Sequence, residues 1–344
     1  MDISIFGIYR AAYPKRRICG LQKKSCGVFS EVHRFRLGDV KRSVSEKENY
    51  RVANLTDSMF SGIYNGSQKH APDLDQVLSR AFSLGMEKII VTAGCREDIV
   101  GAKALCCTDP RLYYTVGCHP TRCQEFAADS DQYYQELKNC VFEAGSRVVA
   151  IGECGLDYDR VHFCPKDIQL PCFRKQLNLA SETKLPLFLH CRNAFEDLIS
   201  GIQKHIEQCG PIHGVVHTFD GTEEQAKAII DLGFHIGFNG CSLKTERNLE
   251  VVASVPSEKI LLETDAPWCE IRPTHAGFQH VVTKFAKNKP NKWESGRMVA
   301  GRNEPANIVQ VLEVVAGARG QLPDDLAYAA YENTLRVFPG LLAR

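Results

Sequence analysis

The chain has almost no excess of charge: 42 Lys and Arg stand against 41 Asp and Glu, a net +1 at neutral pH. That is not the footprint of a protein that grips nucleic acid through a broad basic face. A nucleic-acid substrate stays open, because metal ions in a site can supply the positive charge. No apolar run approaches the roughly 20 residues of a membrane span, so no membrane partner is expected. The 15 cysteines include no C-x-x-C pair, which argues against zinc ribbons and thioredoxin-type redox motifs. No secretory signal stands out, so the odd cysteine count reads as reduced thiols in a cytosolic or nuclear compartment rather than a disulfide scaffold. Cys118, Cys154, Cys191, Cys241 and Cys269 fall in or just after strand patterns, where a thiol packs as a small hydrophobe. G-x-G-x-x-G is also missing after the first strand pattern, which disfavours an open dinucleotide-binding sheet.

What is present is length and a regular alternation. The 344 residues are 44% hydrophobic, enough for one barrel of about 250 residues or two smaller domains. Residues 1–49 differ from the rest, with eleven Lys or Arg against five acidic residues. This segment is expected to be a basic, poorly ordered extension or sequence from a variant transcript. An organellar transit peptide is the alternative, disfavoured by sparse serine and the lack of an amphipathic face. From residue 50 to 344 strands alternate with helices at βα spacing. Strand patterns fall at 52–55 (weak), 87–92, 112–116, 148–151, 187–189, 214–216, 234–238 and 260–263. Helix patterns fall at 72–84, up to 105, 132–143, 167–183, 195–206, 223–231, 305–318 and 324–337. Eight strand patterns with helices between them predict a (β/α)8 TIM barrel.

Four of these strand patterns close on a metal-competent side chain: Glu153, His190, His217 and Asp265. Taken singly, a histidine there is more often a hydrogen-bonded structural residue, and a glutamate could simply cap the next helix. Strand C-termini of a parallel barrel converge on one face, however, so four in register predict one metal site. Carboxylates with neutral imidazoles suit Mg²⁺ first, with Mn²⁺ or Zn²⁺ as alternatives. Two divalent cations fit if Glu153 bridges them. Such a pair, ~3.5–4 Å apart, activates water and neutralises the attacking and leaving oxygens of a phosphodiester.

Seven strings carry a resemblance to a known family. They are Asn54-Leu55-Thr56-Asp57, Val116-Gly117-Cys118-His119-Pro120, Ile151-Gly152-Glu153-Cys154-Gly155-Leu156-Asp157, His190-Cys191-Arg192, His217-Thr218-Phe219-Asp220-Gly221, Glu263-Thr264-Asp265-Ala266-Pro267-Trp268 and Arg302-Asn303-Glu304-Pro305. From about residue 54 to 338 the chain resembles the TatD family of metal-dependent deoxyribonucleases. The resemblance implies a metallo-dependent hydrolase barrel that cuts DNA, with exonuclease-type action and a nuclear location. It places Glu153, His190, His217 and Asp265 at the metal positions, with Asp265, Glu153 and His119 in the chemistry. It places Asn54 and Glu304 behind the ligands as supports. One departure stands out: the family's first strand usually ends in H-x-H or D-x-G-x-N, whereas Tyr50 and Val52 replace the Asp and Gly here and only Asn54 remains. The departure predicts a degraded first strand and weaker metal binding, with a weakly active or inactive form as one outcome.

Further residues have specific expectations. His119 could contact the scissile phosphate or a proton, or stabilise the turn at Pro120. Arg192 could bind phosphate bidentately, or pair with Glu304 or Asp157. Asp157 could orient His190, since a metal-bound imidazole needs a partner for its other nitrogen. Trp268 could stack on a base or plug the rim. The stretch 271–301, with Lys284, Lys287, Lys289, Lys292, Arg297 and Trp293, reads as an insertion that either tracks DNA or is a solvated loop. An amidohydrolase-type enzyme on a small substrate, or a non-catalytic binding protein, would share much of this pattern.

Overall fold

The computed structural model describes residues 55–342. The weak first strand at 52–55 and Asn54 therefore lie outside the described residues, apart from Leu55, a buried turn residue. So does the basic segment 1–49. Ahead of the first α-helix stands a small antiparallel hairpin, β1 (Ile63–Tyr64) and β2 (Ser67–Gln68).

Seven strands then form one parallel sheet in sequential order: β3 (Ile89–Val91), β4 (Leu112–Val116), β5 (Val148–Asp157), β6 (Leu187–Arg192), β7 (Gly214–Val216), β8 (His235–Phe238) and β9 (Ile260–Leu262). Helices alternate with them: α1 (Leu74–Ser83), α2 (Arg96–Cys106), α3 (Cys123–Ala128), α4 (Ser130–Ala144), α5 (Lys166–Thr183), α6 (Phe195–Cys209), α7 (Glu223–Asp231) and α8 (Glu246–Ser254). Two more, α9 (Ile308–Arg319) and α10 (Pro323–Val337), follow at the C-terminal end. Sequential parallel strands with intervening helices are the (β/α)8 TIM barrel, seven of whose strands lie among the described residues.

Local chemistry explains the elements. Strands β3, β4, β7, β8 and β9 are buried along their whole length, as parallel strands covered on both faces must be. This is why they read as continuous apolar runs rather than alternating ones. Helices α7 and α8 each begin with a reciprocal capping box, Thr222 with Gln225 and Thr245 with Asn248, which satisfies N-terminal amides otherwise left without partners. Helix α9 ends at Gly320 in the left-handed region, φ 58°, a conformation glycine takes without a Cβ clash.

One strand departs from expectation in a way that shapes the site. The pattern at 148–151 predicted an end near Glu153, but β5 runs on to Asp157 with every residue buried. Its pairing with β6 shifts register between Ile151 and Cys154, then continues from Cys154 opposite Leu189 to Asp157 opposite Arg192. A bulge of this kind re-aims a side chain without ending the strand. Glu153 therefore sits within a strand rather than at its end. Beside it, β4 and β5 come together closely at glycines: a Cβ on Gly117 would fall 2.5 Å from the Gly152 carbonyl carbon.

The insertion after β9 carries only short pieces, β10 (Lys287–Asn288) paired in parallel with β11 (Met298–Val299). It is anchored to the segment just before α1. The Trp293 indole donates to Asp73 Oδ2 at 3.1 Å, and its ring stacks on His70 at 5.5 Å and 8°. Lys287 pairs with Glu270 and Arg297 with Glu294, while Lys284, Lys289 and Lys292 are exposed. No helix among the described residues is long and apolar enough to cross a membrane.

Candidate metal centre

Strands β5 and β6, the residue after β7 and the turn after β4 deliver four side chains to one buried point. Glu153 Oε1 accepts from or faces three imidazole nitrogens: His190 Nδ1 at 2.9 Å, His217 Nε2 at 2.9 Å and His119 Nε2 at 3.5 Å. His217 Nε2 and His190 Nδ1 are themselves 3.3 Å apart. All four residues are at most 3% exposed. Donor atoms of His119, Glu153 and His190 lie mutually within 4.8 Å, a group that could hold a metal ion.

The outer nitrogens are each held. His190 Nε2 faces Asp157 Oδ2 at 3.1 Å, which leaves Nδ1 to present a lone pair inward when Nε2 carries the proton. His217 Nδ1 meets the Thr218 hydroxyl at 2.7 Å and Glu263 Oε2 at 3.7 Å. His119 Nδ1 meets the Thr121 hydroxyl at 2.7 Å and the Thr121 N–H at 3.2 Å, so Thr121 can serve either tautomer. Inward lone pairs backed by outward hydrogen bonds are the arrangement of metal-binding histidines.

Electrostatics of the centre without a cation show how strained its charges are. Burial alone would push the Glu153 carboxyl up, but the His217 and His119 imidazoles and hydrogen bonds from His190 and His217 hold it well below the usual carboxylate range. Burial pulls His217 down, yet the Glu153 charge, with hydrogen bonds to Glu153 and Glu263, raises it to about 10. Burial dominates at His119 and lowers it to about 3. Two buried polar atoms of these residues, His119 Nε2 and Asp265 Oδ1, make no hydrogen bond among the described residues. Orphaned donors beside a carboxylate and imidazoles fit a divalent cation.

Asp265 is close enough to this group to interact with the charges of His217 and Glu153. It is 2% exposed, has a left-handed backbone at φ 52°, and its Oδ2 accepts from the Cys269 thiol at 2.9 Å. Burial pushes its carboxyl well above the usual range. Glu263, two residues earlier, is fully buried, takes the Thr218 N–H on Oε1, and is also raised by burial. Glu263 shares the apolar run that leads to Asp265, and the two-residue spacing is its signal in the sequence. Arg160, with no comparable signal, brings Nη1 to 3.6 Å from Asp157 Oδ2.

The remaining expected residues are scattered. Arg192 ends β6 half-buried and forms no side-chain hydrogen bond or ion pair among the described residues, so pairing with Glu304 or Asp157 does not occur. Its charge is favoured by Asp220 and Asp157 against burial. Glu304 is engaged away from the imidazoles, accepting from Arg80 at 2.8 and 2.9 Å and from Arg302 at 3.0 Å. Trp268 is 37% exposed on the rim, beyond Asp265.

Comparison with known proteins bears on this centre. A family model described as TatD related DNase matches residues 63–339. The "Deoxyribonuclease Tat-D" of Schizosaccharomyces pombe is 42% identical over 291 residues, covering 83% of this chain and 93% of that protein. The "3'-5' ssDNA/RNA exonuclease TatD" of Escherichia fergusonii is 31% identical over 282 residues, covering 80% of this chain and 97% of that protein. Among solved structures, a hydrolase TatD family protein from Entamoeba histolytica superposes with a TM-score of 0.79 at 35% identity, covering 83% of this chain and 96% of that one.

Proposed function

The chain belongs to the family of TatD-related DNases, and from that premise we propose that it is a metal-dependent deoxyribonuclease working at the Glu153 centre. The observation that supports this reading most directly is the convergence of three imidazole nitrogens on Glu153 Oε1 at the catalytic end of the barrel. Glu153, His119, His190 and His217 would hold the cation, with Asp265 facing it. Two ions bridged by Glu153, with Mg²⁺ before Mn²⁺ or Zn²⁺, are the finer form of the proposal. A divalent cation there supplies Lewis acidity and offsets the charge of the phosphodiester.

The chain's own groups do the rest. Asp265, whose Oδ1 makes no hydrogen bond among the described residues and whose proton affinity is raised by burial, would take a proton from the attacking water. Arg192, which makes no side-chain hydrogen bond or ion pair among the described residues, would bind a phosphate oxygen pair. Trp268, partly exposed on the same rim, offers a face for a base. Asp157 keeps His190 in one tautomer by accepting at Nε2. Exonuclease action from the 3' end, named for the Escherichia fergusonii relative, is proposed for this chain as well.

The test is cleavage of end-labelled single- and double-stranded DNA with Mg²⁺, Mn²⁺ or EDTA. Stepwise shortening from the 3' end that needs a divalent cation is expected. If DNA stays intact with every cation while metal binds, the small-substrate hydrolase reading replaces this one.

A further inference from the structure

Beside the metal centre two loops meet through a pair of thiols that the proposed chemistry leaves unused. Cys241 belongs to the 3-10 turn Gly240–Leu243 that follows β8, and Cys269 lies four residues beyond Asp265 in the loop after β9. Their sulfurs are 2.8 Å apart, already inside non-bonded contact, and a disulfide needs them to close to about 2.05 Å. The backbone builds this approach. A Cβ on Gly240 would fall 2.1 Å from the Cys269 carbonyl oxygen, so only glycine lets the loops come this close. Cys269 itself is in the left-handed region at φ 52°. The Cys241 N–H is fixed by Asn239 Oδ1 at 2.8 Å.

The pair touches the site through one atom. The Cys269 thiol donates to Asp265 Oδ2 at 2.9 Å, and Oδ1 of the same carboxylate has no partner among the described residues. Among those residues the thiol is therefore the side-chain hydrogen bond that orients Asp265. Both cysteines are half-buried, whereas Cys118, Cys123 and Cys172 are fully buried, so a small oxidant can reach this pair. The cations Lys244 and Arg192 lie near Cys241, and positive charge favours its thiolate.

We propose that Cys241 and Cys269 are a reversible oxidation site, and that disulfide formation removes the donor from Asp265 and lowers hydrolytic activity. With hydrogen peroxide as oxidant, the Cys241 thiolate attacks one oxygen, the O–O bond breaks, and sulfenic acid and hydroxide form. The Cys269 sulfur then attacks the Cys241 sulfur, the S–S bond forms, and the sulfenic oxygen leaves as water with the Cys269 proton. A dithiol reverses the reaction by exchange. The linkage is independent of the nuclease proposal; only the effect on activity rests on it.

The experiment uses the full chain loaded with Mg²⁺, treated with peroxide, quenched with catalase, alkylated and digested without reduction. Mass spectrometry is expected to find a Cys241–Cys269 peptide pair lighter by two hydrogens. DNA cleavage is expected to fall about 10- to 100-fold, the usual cost of losing a partner behind a metal-site ligand, and to recover with dithiothreitol. Cys241→Ser should keep the untreated activity and resist peroxide. Absence of this linkage, or linkage through the exposed Cys107 or Cys209 instead, would overturn the assignment. So would equal peroxide sensitivity of Cys241→Ser. If the protein cuts no DNA, calorimetric Mg²⁺ affinity replaces activity as the readout, and a linked form with unchanged affinity sinks the regulatory half.

Discussion

At the residue scale, Glu153 is the centre of the site because its Oε1 alone meets three imidazoles. Glu153→Ala and Asp265→Asn should each abolish metal-dependent cleavage while the circular dichroism spectrum stays that of the parent. Near-parental activity in either would remove that residue from the site. Asp157→Asn should cost less, about 10- to 100-fold in activity or metal affinity, because it acts through the His190 ring. Binding should also depend on protons. A cation that takes the place of the His217 proton must displace it, and that proton is held up to about pH 10. Apparent Mg²⁺ affinity should therefore rise by about tenfold per pH unit through the neutral range. Calorimetry in buffers of different ionisation enthalpy would count the released proton, and a count of zero would contradict the displacement.

At the element scale, the insertion and the segment just before α1 are locked together by Arg302. This side chain is fully buried and reaches Asp73 Oδ1 and Oδ2 at 2.6 and 2.7 Å and Glu304 at 3.0 Å. Asp73 stands at the start of α1 but makes no side-chain cap, because its carboxylate is taken by Arg302 and Trp293. Arg302→Ala would leave the buried Asp73 carboxylate with its charge uncompensated, while Glu304 keeps Arg80, a loss of about 3–5 kcal/mol. Urea unfolding measures it, and a change under about 1 kcal/mol would show that the cluster relaxes into solvent. The same elements show where sequence patterns are readable. The ranges 112–116, 214–216 and 223–231 match β4, β7 and α7 end to end, since apolar runs and a capping box are local signals. The overrun of β5 past Glu153 was not readable, because a bulge depends on the register of a neighbouring strand. Helix α3 was missed as well; it is only six residues long, too short to show a period.

At the scale of the whole molecule, the metal centre couples fold stability to pH. The folded value of His217 is raised from 6.5 to about 10. Its contribution is therefore complete below about 6.5 and lost as pH rises through about 10. Burial raises Asp265 and Glu263, so their titration weakens the fold in the same direction. Glu153, held low, contributes above its ordinary 4.5 and loses that contribution as pH falls. Protein stripped with EDTA should thus melt highest at mildly acidic pH and progressively lower towards pH 9. Saturating Mg²⁺ should raise and flatten the curve by mass action on the folded state. A melting temperature that climbs from pH 6 to 9 without metal would contradict the charge pattern of the centre.

Sequence alone determined the barrel class, the order of its units, and the identity of Glu153, His190, His217 and Asp265 as candidates. Each rests on a local pattern: apolar runs of strand length, helical spacing, and a polar residue after the run. The Tyr50 and Val52 departure is equally a fact of the sequence, and it lies outside the described residues. Only the tertiary structure decided that His119 joins the inner group, that Asp265 takes the Cys269 thiol, and that Glu304 serves Arg80 and Arg302 instead. It alone brought Cys241 to Cys269 across 28 residues. Distances between side chains on different strands follow from strand register, a bulge and the path of rim loops, and no pattern within one segment contains them.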